Sequence, residues 1–156
     1  MQFRLALIFL VILSCTSEII EGTDLPVNEF LLNSPDRSPL PDHQFFYSNL
    51  AYGPQQAHRF DLLLPTDLEP SPAVILFHGG RFIDSSRKEM YEMSYKGILQ
   101  NILARDIAVL NATYTQFTSP DSRGVFSALE DGQLLVAFVR ENAEAMQVDP
   151  ERLILF

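Results

Sequence analysis

The sequence predicts an α/β sandwich, a mostly parallel sheet with an antiparallel N-terminal pair of strands and helices on its faces. Three observations carry this. Two apolar runs without alternation, Ala73–Phe77 and Ile107–Leu110, read as strands buried on both faces. Two longer segments with apolar residues at helical spacing follow them in alternation, which implies parallel pairing with helices as crossovers. Two alternating segments around Gly53-Pro54 precede them, the pattern of a strand pair joined by a turn.

The elements follow in order. Phe45–Tyr52 and Arg59–Leu64 form the opening pair, and Pro70 and Pro72 bound the next loop. Ala73–Phe77 is the first central strand. A helix over about residues 90–104 sets Tyr91, Tyr95, Ile98, Leu99, Ile102 and Leu103 on one stripe. The strand starting at Ile107 continues to about Tyr114, and Ser119-Pro120-Asp121-Ser122 breaks the chain. A long helix, about Val125–Ala143, offers Ala128, Gly132, Leu135, Val136 and Val139 to the core. Asp149-Pro150 then turns the chain into Leu153–Phe156, expected as another buried strand.

Ahead of this domain, 45–156, lie two segments of another kind. Residues 1–15 have the form of a signal peptide: Arg4 provides the positive charge and Leu5–Leu13 an apolar stretch too short to span a bilayer. Ser14-Cys15 leaves two readings open. Ile12-Leu13-Ser14-Cys15 resembles a bacterial lipobox, with Cys15 lipidated, and ordinary cleavage a little further on would discard Cys15. Either way the mature chain is expected to be exported: periplasmic, extracellular or lipid-anchored. Residues 16–44 read as an extended Pro/Ser-rich tether.

Composition narrows the classes further. The chain has 156 residues, 47% of them hydrophobic and 20% charged, as a globular domain does. A net charge of −9 argues against nucleic acid as a partner. The single cysteine allows no intrachain disulfide and no CxxC metal site, and nothing implies a cofactor. Contact with a membrane is expected only through a lipid on Cys15.

His78-Gly79-Gly80, placed right after a buried strand, is the strongest chemical signal. Acyl transfer builds negative charge on a carbonyl oxygen, and backbone N–H groups can be aimed at it. Glycine lets a backbone come close to a ligand and adopt unusual φ. The plain alternative is a loop in which two glycines only permit a turn, and the tripeptide alone does not choose between the two.

From about Tyr52 to Phe156 the chain resembles the N-terminal half of an α/β-hydrolase of the carboxylesterase/lipase kind, including feruloyl-esterase-like members. The segments that carry the resemblance are Phe60-Asp61-Leu62-Leu63-Leu64-Pro65, His78-Gly79-Gly80-Arg81-Phe82, Ser86-Arg87-Lys88, Ile107–Tyr114, Ala128-Leu129-Glu130-Asp131, Val139–Ala143 and Asp149-Pro150-Glu151-Arg152-Leu153. They occur in family order over about two thirds of the chain. Two positions depart from the pattern: Arg81 replaces a third glycine, and Thr115 rather than arginine follows Tyr114.

The resemblance implies a three-layer α/β-hydrolase sandwich that stops before the nucleophile elbow, with Gly79 and Gly80 as oxyanion-hole donors. His78 and Arg81 would form the supporting loop, and Asp131 would be structural. It also implies a serine in G-x-S-x-G followed by an acid and a histidine. No G-x-S-x-G occurs in these residues, and His43, His58 and His78 all precede the place of the elbow. His43 and His58 are expected as surface polar residues. The function implied is an exported hydrolase acting on a small-molecule carboxylic ester, with its nucleophile outside this sequence. A non-enzymatic exported binding module or inactive remnant, and a peptidase related to prolyl oligopeptidase, are the alternatives.

Three other features are discounted. Ser85-Ser86-Arg87-Lys88 matches S-x-x-K but lacks the companion motifs. Asn111-Ala112-Thr113 is a glycosylation sequon on an expected buried strand. Glu130 and Asp131 are adjacent on a helix and point apart. Leu153–Phe156, without a strand beside it, is expected to form an apolar edge prone to aggregation.

Overall fold

A computed structural model describes residues 35–41, 45–65, 70–83, 86–120 and 122–156. The signal peptide, Cys15, most of the tether, His43 and Ser85 lie outside the described residues. Five strands form one sheet: β1 (Phe46–Ala51), β2 (Arg59–Leu63), β3 (Ser71–Phe77), β4 (Ala108–Ala112) and β5 (Val148–Leu155). Two α-helices accompany them, α1 (Met93–Leu103) and α2 (Val125–Glu141). The spatial order is β1-β2-β4-β3-β5. β1 and β4 each run antiparallel to β2, whereas β3 runs parallel to β4 and to β5.

Strand alternation sorts the core into two layers. Phe60, Leu62, Ala73, Ile75, Ala108 and Leu110 face Leu135, Phe138 and Val139 of α2. Leu63, Val74, Leu76 and Val109 face Leu99 and Leu103 of α1. The central strands thus bury both faces, which is why Ala73–Phe77 reads as an unbroken apolar run. This is the three-layer arrangement that the resemblance implies, with the antiparallel N-terminal pair and parallel central strands that the sequence pattern predicts.

Several details differ from the sequence reading. The single helix expected over 90–104 is a 3-10 turn, Arg87–Tyr91, followed by α1. Ser86 caps the turn, its hydroxyl accepting from Lys88 N–H. The α1 stripe is also narrower than expected, because Tyr95 and Ile98 are about half exposed, while Leu99 and Leu103 are buried against the sheet and Ile102 packs there in part. On α2, Ala128 and Val136 do not join the buried set of Ser127, Asp131, Gly132, Leu135, Phe138 and Val139, although Val136 packs against that core in part.

The Asp149-Pro150 turn lies inside β5 as an irregularity. Ser71 pairs with Val148 but Ala73 with Leu153, so β5 carries extra residues there, as a bulge does. Beyond it the strand is not buried: Ile154, Leu155 and Phe156 are 57%, 57% and 84% exposed. Their outer edge has no strand partner among the described residues. Residues 35–41, read as tether, touch the sheet at Leu40 and Asp36. Leu40 is buried with Phe46 and Leu63, and Asp36 accepts from both the N–H and the hydroxyl of Ser48.

Candidate active site

β3 ends at Phe77 and delivers His78-Gly79-Gly80 at the carboxyl edge of the sheet. Gly80 has φ 99°, which a glycine adopts without a Cβ penalty. Arg81 and Phe82 follow with φ of 52° and 65°, a conformation that costs a side-chain-bearing residue free energy. Ile83 N–H donates to Gly80 carbonyl at 3.0 Å and closes the turn. The third glycine of the related motif would suit the backbone that Arg81 adopts.

An aromatic group holds this loop. His78, only 4% exposed, stacks on Tyr114 with centroids 4.7 Å apart. Phe82 meets the Tyr114 ring edge-on and stacks on Phe117 at 5.5 Å. Tyr114 hydroxyl donates to the carbonyls of His78 and Gly79 at 3.2 and 3.4 Å. Burial raises the Tyr114 phenol above its ordinary pKa, so it keeps its proton. Among the described residues neither Gly79 nor Gly80 N–H donates to a backbone carbonyl. A Cβ built on Gly79 would meet nothing within 4 Å, so this stretch of backbone borders open space.

That space is a cavity of about 740 Å³ between the loop, the end of β5 and the outer face of α2. Gly79, Arg81 and Phe82 line it from the loop, Leu155 and Phe156 from β5, and Ala128, Gly132 and Val136 from α2. The absence of Ala128 and Val136 from the buried set is thereby explained, because α2 carries an apolar face toward the cavity as well as one toward the sheet. β5 reaches the loop directly. Phe77 N–H donates to Phe156 carbonyl at 3.0 Å, and Phe156 N–H to Ile75 carbonyl at 2.9 Å. Phe156, the residue that follows β5, thus sits beside Phe77, the residue preceding His78.

The other two histidine expectations resolve differently. His43 lies outside the described residues. His58 is not a surface residue: it is 3% exposed, with Nε2 2.9 Å from Asp131 Oδ1. Tyr52 stacks on its ring at 5.0 Å, and Gln55 N–H points to Nδ1 at 3.4 Å. A Cβ on Gly53 would lie 2.2 Å from His58 Nδ1, so this turn needs glycine for close approach rather than for φ. Asp131 Oδ2 accepts from Thr115 N–H at 2.6 Å. Burial would raise the Asp131 carboxyl, but hydrogen bonds from His58 and Thr115 outweigh it and hold it below the usual carboxylate range. The carboxylate is spent on bonds within the fold, and Glu130 faces away to pair with Arg123.

On the opposite face Asp61 accepts from Asn49 N–H at 2.7 Å and from Tyr91 hydroxyl at 2.9 Å, with Arg87 Nε 3.0 Å away. Asn111 is buried and donates to Arg87 carbonyl at 2.8 Å, so the sequon asparagine is enclosed. This cluster anchors the segment that follows the glycine loop.

The geometry coincides with a family. The BD-FAE family model matches residues 60–156. The chain belongs to the BD-FAE family. This is an esterase family of the α/β-hydrolase type. A search of curated proteins returned no match. Solved structures agree on the fold. A bifunctional GH43-CE protein from Bacteroides eggerthii is 19% identical with a TM-score of 0.58, over 70% of this chain and 15% of its own. A truncated carbohydrate esterase from gut microbiota is 18% identical with a TM-score of 0.58, over 79% of this chain and 41% of its own. A thermophilic esterase from Thermogutta terrifontis with propionate bound is 18% identical with a TM-score of 0.57, over 74% of this chain and 40% of its own. The chain therefore spans well under half the length of these proteins.

Of the residues the sequence singled out, His78, Gly79 and Arg81 line the cavity, and Gly80 lies between them in the chain. The sequence did not single out Phe82, Phe117 or the outer face of α2. Nor did it link Tyr114 to His78, for no local pattern marks a contact across 36 positions.

Proposed function

We propose that this BD-FAE chain supplies the oxyanion side of an exported serine esterase acting on carboxylic esters. Gly79 and Gly80 donate backbone N–H groups to the carbonyl oxygen as it gains negative charge, the use of preorganised donors that acyl transfer rewards. His78 supports this loop, and Arg81 stands at its rim. The nucleophilic serine, the acid and the histidine base belong to the part of such a domain that these residues do not include. His58 and Asp131 are committed to each other and are not proposed as the dyad.

The observation that carries this is the hydrogen bonding of Phe156 to Ile75 and Phe77. It places the carboxyl end of β5 beside the glycine loop, on the same cavity. A nucleophile on a turn leaving β5 would stand next to the amides that receive the oxyanion, as the strand–turn–helix setting of G-x-S-x-G requires.

Paraoxon tests it, since Thermogutta terrifontis esterase 2 is a protein phosphorylated by that reagent. In the intact protein, hydrolysis of 4-nitrophenyl acetate is expected to stop as one serine beyond Phe156 becomes phosphorylated, located by peptide mass spectrometry. Absence of both hydrolysis and adduct would remove the reading.

A further inference from the structure

Tyr114 touches the glycine loop in a way that a packing role does not require. Its ring is buried against His78, Phe77 and Phe82, and a phenylalanine would fill that place equally well. The hydroxyl adds something the packing does not need, a shared hydrogen bond to two successive carbonyls at 3.2 and 3.4 Å. His78 acts on the second of these. Its Nδ1 lies 2.9 Å from Gly79 carbonyl, and since a carbonyl only accepts, Nδ1 is the atom that carries the proton in that bond.

Peptide geometry gives these contacts a direction. In a trans peptide the C=O and the N–H of one plane point opposite ways, and the described residues contain no cis bond. The carbonyl of His78 shares a plane with Gly79 N–H, and the carbonyl of Gly79 with Gly80 N–H. Turning both carbonyls to the Tyr114 hydroxyl turns both N–H groups away from it. Among the described residues neither of these amides has a backbone acceptor, and Gly79 lines the cavity beside them.

We propose that Tyr114 is a positioning residue for ester hydrolysis: through its hydroxyl it sets the two peptide planes whose N–H groups receive the oxyanion. The inference rests on the oxyanion-hole reading above. Tyr114 also borders the cavity, and the role assigned to its hydroxyl is exerted through the loop. A hydroxyl that keeps its proton donates throughout the working pH range, so the loop needs no titration to hold its shape.

The test is Tyr114→Phe in the intact protein, with Tyr52→Phe as control. Tyr52 also loses a buried hydroxyl bond, to Thr113 carbonyl at 2.6 Å, but it does not touch the loop. For Tyr114→Phe, kcat on 4-nitrophenyl acetate is expected to fall about tenfold, somewhat less than the 10²–10³ typical of deleting a donor outright. KM should stay within about twofold, the signature of an interaction made only in the transition state. The amide order parameters of Gly79 and Gly80 should drop from the rigid range near ~0.85 toward the flexible range below ~0.6. Tyr52→Phe should leave both readouts unchanged. Rigid glycine amides in Tyr114→Phe would overturn the positioning role. Loosened amides with unchanged kcat would instead overturn the oxyanion-hole reading on which it rests.

Discussion

The two flanks of the sheet are built on opposite terms. On the β1–β2–β4 side the large apolar groups of the described residues are covered within the chain, Tyr52, Phe60, Leu62 and Leu110 fully and Tyr47 and Leu50 in part. Two buried polar clusters stitch that side together, His58–Asp131–Thr115 on the α2 face and Asp61–Arg87–Tyr91 on the α1 face. On the β5 side Leu155 and Phe156 stand in the open, and α2 turns Ala128 and Val136 to an apolar cavity. The first flank is closed by its own residues. The second offers backbone groups and apolar surface with nothing among the described residues against them, a combination that elsewhere marks a place for further chain to pair and pack. The candidate site lies on the boundary between the two, held from the closed side by Tyr114 and open toward the other.

Substitutions can sharpen this contrast. The largest effect is expected from Asp131→Ala. It leaves the His58 ring and Thr115 N–H buried without their partner and should cost about 2–5 kcal/mol, as two buried polar groups left unsatisfied do. Chemical denaturation would measure it, and a loss below about 1 kcal/mol would mean that the closed flank does not depend on this cluster.

A smaller effect is expected from pH. The Asp131 carboxyl titrates lower in the folded chain than in the unfolded one. Its contribution is therefore fully present above the unfolded carboxylate value near ~4 and is lost as pH falls through the lower folded value. Denaturation midpoints should decline in that acid window for the native chain. The decline should be shallower in Asp131→Asn, because that variant has no carboxylate to protonate at this position. Equal slopes would show that other carboxylates govern acid unfolding.

The smallest effect on stability is expected from Leu155→Lys on the open flank. An exposed substitution should shift stability by less than about 0.5 kcal/mol. It should also reduce self-association in sedimentation velocity, because a charge on an edge strand opposes strand pairing. A loss near ~2 kcal/mol or more in the intact protein would show that Leu155 is covered there, and the contrast between the flanks would then belong to this stretch of chain alone.

The fold was largely legible, and the reasons are local. Ala73–Phe77 and the run from Ile107 announce double-sided burial because each faces a helix on either side. Leu135 and Val139 announce the sheet-facing side of α2 by their helical spacing. The sequence misread features that depend on a neighbour across the fold. Tyr95 and Ile98 have helical spacing, yet α1 meets the sheet along a narrow line. Asp149-Pro150 has turn chemistry, yet pairing with β3 absorbs it as an irregularity inside β5. His58 looked like a polar surface residue because its partner lies 73 positions away.

The site divides along the same line. By itself the sequence determined that a glycine pair follows a buried strand and that no G-x-S-x-G is present in these residues, because each of these is written in neighbouring residues; a structural Asp131 was implied only by the family resemblance. Only the tertiary structure decided that Tyr114 holds the carbonyls of His78 and Gly79, that α2 has a second apolar face and that β5 ends beside the glycine loop. Those relations come from parallel strands brought side by side by crossovers, which join residues far apart in the chain and leave no short-range pattern to read.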